Sequence, residues 1–237
     1  MTYQCLWLTV HSCIDGYSQN ILWLRCSFSN HRPGIIASYF LDCVSVVGGF
    51  PATLRTDCGT ENVMIVAIQS LVSGHHVYGT SPGNQCIEAW WSFYRRQHSQ
   101  WWIDLFETLV SSGSFHPGNV CQTDCIKFCF MPIVQKQLDD MRRQWNTHRI
   151  RPSVCASCPA GVPDELYYFP CAPATDRLLR TDVALPHEVL QQTEEPRTRE
   201  DQNFEAYLHY LCDFHHLLMP TDTDSALQLY HRLLPFI

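Results

Sequence analysis

Residues 55–62 read Arg55-Thr56-Asp57-Cys58-Gly59-Thr60-Glu61-Asn62, and they close a short β-prone run, residues 52–56. A carboxylate at the tip of a strand, followed by a glycine turn, sits where α/β sheets gather their chemistry at one edge. Just upstream, residues 33–47 place Ile35, Ile36, Tyr39, Phe40, Cys43, Val44 and Val47 at helical spacing. Pro33 falls near the first turn and Gly48-Gly49 stops the run, so an amphipathic helix is expected there. Strand, helix, strand is a βαβ unit. The strand ending at Asp57 is therefore expected to lie parallel to the strand before the helix.

Working outward, residues 4–14 and 20–28 are apolar, β-prone runs separated by Asp15-Gly16-Tyr17-Ser18. An Asp-Gly between two such runs signals a hairpin. Downstream, residues 61–72 read as a helix and 74–83 as a loop holding Gly79 and Pro82. A long helical reading with room for an interruption runs from about residue 84 to about 110, and residues 113–119 break it. Residues 121–146 read as a second long helix, with Pro132 a kink or restart. Beyond Arg151 the texture changes to Pro152, Pro159, Pro163, Pro170 and Pro173 among small residues and cysteines. Residues 191–203 are a charged linker, and 203–219 and 224–234 read as helical.

The 237 residues, 46% of them hydrophobic, suffice for one sizeable core with a tail. No apolar run long enough for a spanning helix exists, so no membrane role is expected. The first residues carry no early Lys or Arg and read as an internal strand rather than a signal peptide. Thirteen cysteines without such a signal suggest reduced thiols in an intracellular protein. Residues 1–152 hold eleven Lys/Arg against ten Asp/Glu, whereas residues 153–237 hold five against thirteen. The first part can face a polyanion, and the second would be repelled by one. The overall charge of −7 argues against tight non-specific DNA binding.

Two-metal phosphoryl transfer needs several carboxylates converging on a pair of Mg²⁺ or Mn²⁺ ions. Asp15 at the hairpin, Asp57 at the strand tip and Glu88 near the start of the long helix sit at suitable places. Each alone has an ordinary reading: a turn Asp, a loop Asp, a helix-start Glu that complements the macrodipole. Their order, with thirty residues between Asp57 and Glu88, is more specific.

Four ordered motifs carry a family resemblance. They are Ile14-Asp15-Gly16-Tyr17-Ser18-Gln19, residues 49–62, residues 81–91 beginning Ser81-Pro82-Gly83-Asn84-Gln85, and Trp145-Asn146-Thr147-His148-Arg149-Ile150-Arg151. Together they resemble the integrase core of retroviral integrases and DDE transposases, and more closely still the integrase core domain proteins of transposon origin. The resemblance spans roughly residues 5–170. It implies an α/β, RNase H-like mixed sheet flanked by helices, with a helical C-terminal extension. The core would cover residues 1–112, a helical part 113–170, and an acidic linker with a short helical tail 171–237.

The resemblance also implies that Asp57 is the second and Glu88 the third catalytic, metal-binding carboxylate, and that Asn84 and Gln85 approach DNA. The family's first carboxylate lies on a strand upstream of the hairpin, and counting back from Asp15 runs off the start of the chain. Asp15 thus matches the turn Asp, and is a substitute ligand only if the hairpin shifts. The chain reads as N-terminally truncated. Gln19 and Cys86 stand where the pattern usually has Arg, which weakens phosphate or structural contacts.

Arg95-Arg96, Arg142-Arg143 and residues 148–151, with Arg149 and Arg151, are the local basic clusters and candidate phosphate contacts, though solvated helix faces are an equal reading. Cys155-Ala156-Ser157-Cys158 lacks the second pair a zinc knuckle needs. Cys121, Cys125 and Cys129 share a helix face that suits core packing. Of Trp90, Trp91, Trp101 and Trp102, one of each pair can face the core and the other a base or partner. Three readings follow. The first is a catalytically disabled, transposon-derived domain, nuclear, retained to bind nucleic acid or protein. The second is an active strand transferase or endonuclease using Mg²⁺ or Mn²⁺. The third is a protein-interaction domain, or homo-oligomer, acting through its Trp-rich helical half without a DNA role.

Overall fold

The computed structural model describes residues 2–5, 8–27, 32–72, 74–79, 85–152, 158–171, 174–180 and 199–237, without the side chains of 2–5, 8, 85, 86, 89, 97 and 199–201. Three antiparallel strands stand first: β1 (Thr2–Cys5), β2 (Leu8–Ile14) and β3 (Ile21–Ser27), in that spatial order. The hairpin expected around Asp15-Gly16 is present. Its mouth is closed by the Asp15 N–H on the Asn20 carbonyl at 2.8 Å and the Gln19 N–H on the Asp15 carbonyl at 3.1 Å. Gln19 takes a left-handed backbone, φ 61°, to complete the turn.

Helix α1 (Pro33–Val47) buries Ile36, Ala37, Phe40, Leu41 and Val44 on one face. Gly48 ends it at φ 79°, donating its N–H to the Val44 carbonyl, a conformation a side chain would strain. Then come β4 (Phe50–Pro51), β5 (Thr53–Thr56), a 3₁₀ turn over Thr60–Asn62, α2 (Val63–Leu71) and β6 (His75–Tyr78).

Here the structure departs from the sequence expectation. Residues 75–78 form a strand where a loop was expected, and β5 runs parallel to β6, Thr53 opposite His75 and Thr56 opposite Tyr78. Among the described residues, β5 shares no ladder with β2 or β3. Side chains rather than backbone bonds join the two parts. Trp23 of β3, Phe40 of α1, Phe50 of β4, Leu54 of β5 and Ile65 and Ile68 of α2 form one buried cluster.

The long helical stretch is interrupted once. Helix α3 (Gln85–Tyr94) continues through a wider π-turn, Arg95–Ser99, into α4 (Gln100–Ser111). Helix α5 (Val120–Thr147) carries Pro132 without a break, and Asn119 caps its start by accepting from the Gln122 N–H. After α6 (Pro163–Tyr168), β7 (Leu178–Leu179) pairs antiparallel with β4. The chain closes with α7 (Arg199–Phe214) and α8 (Thr223–Leu233). Helix α7 stops at Phe214 rather than reaching residue 219, and His216 takes φ 52° just past its end. The linker residues 191–198 lie outside the described residues.

Helices α3, α4 and α5 pack on β2 and β3 around Trp90, Trp102, Phe106, Phe115, Ile126 and Phe130. Leu208 and Leu211 of α7 and Ala226, Leu229, Tyr230 and Leu233 of α8 join the same cluster. Full burial of such side chains contributes roughly 1.5–3 kcal/mol each relative to exposure. The free edge of β3 is covered by one face of α5. Gln135 donates to the Leu24 carbonyl at 3.1 Å and accepts from the Cys26 N–H at 3.0 Å. Arg142 donates to the Leu22 carbonyl at 3.2 Å. Asn146 accepts from the Ile21 N–H at 2.9 Å and donates to its carbonyl at 3.1 Å. Positions 135, 142 and 146 share a face because helical neighbours recur every three to four residues. Among the described residues no helix is long and apolar enough to cross a membrane.

Candidate active site

Asp57 follows the last residue of β5 and is half-buried. The 3₁₀ turn after it brings Asn62 back, and the Asn62 Nδ2 donates to Asp57 Oδ1 at 2.6 Å. Asn62 is buried, and so is His11 of β2. The Trp23 Nε1–H donates to His11 Nδ1 at 3.0 Å, with the two rings 12° from coplanar. With Nδ1 accepting, a neutral imidazole carries its proton on Nε2. That Nε2 and Asn62 Oδ1 are buried atoms without a hydrogen-bond partner among the described residues. Two polar pairs result: Trp23 with His11 in the hairpin sheet, and Asn62 with Asp57 at the tip of β5. Burial holds the His11 imidazolium form well below the usual histidine range.

Glu88 is half-buried in the first turn of α3, a helix that lies against β2. Asn84 lies outside the described residues, as does the side chain of Gln85. Asp15 is committed to its turn: its Oδ2 accepts from the Tyr17 N–H at 3.1 Å, the Ser18 N–H at 2.7 Å and the Ser18 hydroxyl at 2.7 Å. Bonding of this kind is what turn aspartates do.

A divalent-metal site of the type the resemblance implies needs at least three converging hard ligands. Among the described residues no set of three His, Cys, Asp or Glu side chains is placed to hold an ion. Asp57 has one oxygen engaged by Asn62 and Asp15 is turned into its hairpin. The described residues therefore do not fit a two-metal centre.

Arg95 and Arg96 are exposed on the π-turn, and Arg149 and Arg151 are exposed beyond the end of α5. Of the paired tryptophans, Trp90, Trp91 and Trp102 are buried, while Trp101, half a turn past the π-turn, is 51% exposed. The thiols of Cys125 and Cys129 on α5 and Cys212 on α7 are free and buried. Cys129 is pushed far above the usual thiol range, first by its hydrogen bond with Cys125 and then by burial. Cys155 of the Cys-x-x-Cys pair lies outside the described residues, and Cys158 donates to the Gly16 carbonyl at 3.4 Å.

The interlock between the hairpin and the end of α5 is absent from the sequence reading. The Trp145 Nε1–H donates to the Gln19 carbonyl at 2.9 Å, and Asn146 Nδ2 also donates to Asn20 Oδ1 at 3.2 Å. His148 packs against the Trp145 ring, centroids 4.9 Å apart. Two of the quoted motifs, a hundred residues and more apart, are in fact the two halves of one contact. The sequence signal was their joint presence, which carries no periodicity.

No curated protein and no solved structure matches the chain. A family model described as integrase core domain matches residues 4–162. That span takes in the hairpin, the Asp57 strand tip, the Glu88 helix and the Trp145-Asn146 clamp, and the chain belongs to the integrase core domain family.

Proposed function

We propose that this chain is a transposon-derived integrase core domain that binds nucleic acid in the nucleus without carrying out strand transfer. The RNase H-like core would serve as a rigid frame, with the exposed Arg95 and Arg96 and the half-exposed Trp101 as its contact face. Cations on phosphates combined with an aromatic ring on a base is the usual chemistry of sequence-tolerant nucleic-acid binding. The observation that carries the loss of catalysis is the employment of Asp15: three donors hold its carboxylate within the hairpin. With it so held, Asp57 and Glu88 are the two of the three candidate carboxylates whose groups are not taken up by the hairpin.

Two measurements test the reading. A plasmid nicking assay with Mg²⁺ or Mn²⁺ should show no activity above that of Asp57→Ala; robust nicking lost in that variant would replace this reading with an active nuclease. A filter-binding salt titration should show affinity for DNA that falls with salt. Arg95→Ala with Arg96→Ala should reduce the log–log salt slope by about one per lost phosphate contact. Affinity insensitive to both salt and these substitutions would favour a protein-binding domain with no DNA role.

A further inference from the structure

Helix α7 is apolar beyond the face it buries. Its inner face sets Leu208, Leu211 and Cys212 into the core. Its outer face sets Tyr207, Tyr210 and Phe214 at successive turns toward solvent, with Tyr210 59% and Phe214 64% exposed. The Tyr210 and Phe214 rings stack at 5.9 Å. Phe236, also exposed, extends the patch: Tyr207 donates its hydroxyl to the Phe236 carbonyl at 3.3 Å, and His215 lies between the Phe214 and Phe236 rings at 5.0 and 4.7 Å. A contiguous exposed aromatic patch of this kind marks a contact surface.

Charge decides what covers it. Residues 199–237 carry six carboxylates and two cationic side chains, Arg199 and Arg232. Asp213 is exposed immediately beside Phe214, and Asp222 and Asp224 are exposed at the start of α8. An acidic field around open tyrosine and phenylalanine faces repels nucleic acid and anionic lipid surfaces. It attracts Lys and Arg side chains, which gain both from the carboxylates and from stacking over the rings. We infer that the outer face of α7 is the docking site for a cationic, amphipathic protein helix, with apolar side chains on Tyr207 and Phe236 and Lys or Arg over Tyr210 and Phe214. The site stands on the helical tail and does not depend on the nucleic-acid reading.

The test uses the whole chain and a fluorescein-labelled amphipathic peptide of alternating Leu and Lys turns, followed by anisotropy near physiological salt. A counterpart with every Lys replaced by Glu serves as control. The Lys peptide should bind and the Glu peptide should not. Tyr210→Ser with Phe214→Ser should weaken binding by about tenfold or more, as loss of central aromatic contacts does. Asp213→Lys, an exposed change away from the core, should weaken it as well and guards against misfolding of the double variant. Equal binding of both peptides, or unchanged binding by both variants, would overturn the inference. So would sedimentation showing a dimer that the double variant dissociates, because the occupant would then be a second copy of the chain.

Discussion

The Asn146 carboxamide meets the backbone of Ile21, 125 residues earlier, as a neighbouring strand would: it accepts the N–H at 2.9 Å and donates to the carbonyl at 3.1 Å. Asn146 and both backbone groups are buried, so removing the side chain strands a donor and an acceptor. Asn146→Ala should lower stability by about 2–3 kcal/mol, and Asn146→Asp by a similar amount because it keeps the acceptor and loses the donor. Urea unfolding of the variants checks this. A loss under about 0.5 kcal/mol would mean that water replaces the carboxamide.

The burial of His11 sets a pH dependence. Its folded pKa is depressed, chiefly by desolvation, so the unfolded chain binds a proton that the folded chain refuses. Stability is therefore complete above the unfolded value near 6.5 and falls as pH drops through it. His76 and His98, also lowered by burial, act in the same direction. His11→Leu should flatten the decline between about pH 6.5 and 5 by up to one proton's worth of slope, measured from urea midpoints. An unchanged slope would show that His11 is already charged in the folded chain.

The bonds at Asp15 distinguish a turn residue from a metal ligand. Asp15→Asn preserves an acceptor for the Tyr17 and Ser18 donors and should cost little, whereas Asp15→Ala removes all three bonds and should cost about 1–2 kcal/mol. Thermal melts with and without Mn²⁺ read both quantities. A stabilisation by Mn²⁺ that both substitutions abolish would make Asp15 a metal ligand.

Gln19 occupies a left-handed backbone that favours glycine, and among the described residues its side chain makes one long bond, Nε2 to the Pro159 carbonyl at 3.5 Å. Gln19→Gly should be close to neutral, and the β-branched Gln19→Val should cost about 1–2 kcal/mol. Equal melting temperatures for the two would mean that the hairpin relaxes out of that conformation.

The parts of the fold that repeat locally were legible in the sequence. The Asp15-Gly16 turn, the stripe of α1 ended by Gly48, and the α5 run through Pro132 each follow from propensity and period over adjacent residues. Strand β6 was not, because His75-His76-Val77-Tyr78 is four residues long, mostly exposed, and set between two glycines. Its parallel pairing with β5 is a long-range choice that no local pattern encodes. At the candidate site the motif around Asp57 was legible, while its bond to Asn62 depends on the intervening 3₁₀ turn. Nothing local to His11 marks it; only the position of Trp23 on the neighbouring strand gives the ring its hydrogen bond.

Gln135, Arg142 and Asn146 act on β3 as a strand made of side chains. Growth of the three-stranded sheet on that flank would require α5 to lift away from the core it anchors. A destabilised α5 would reopen the blocked flank and turn a well-behaved domain into one that polymerises edge to edge.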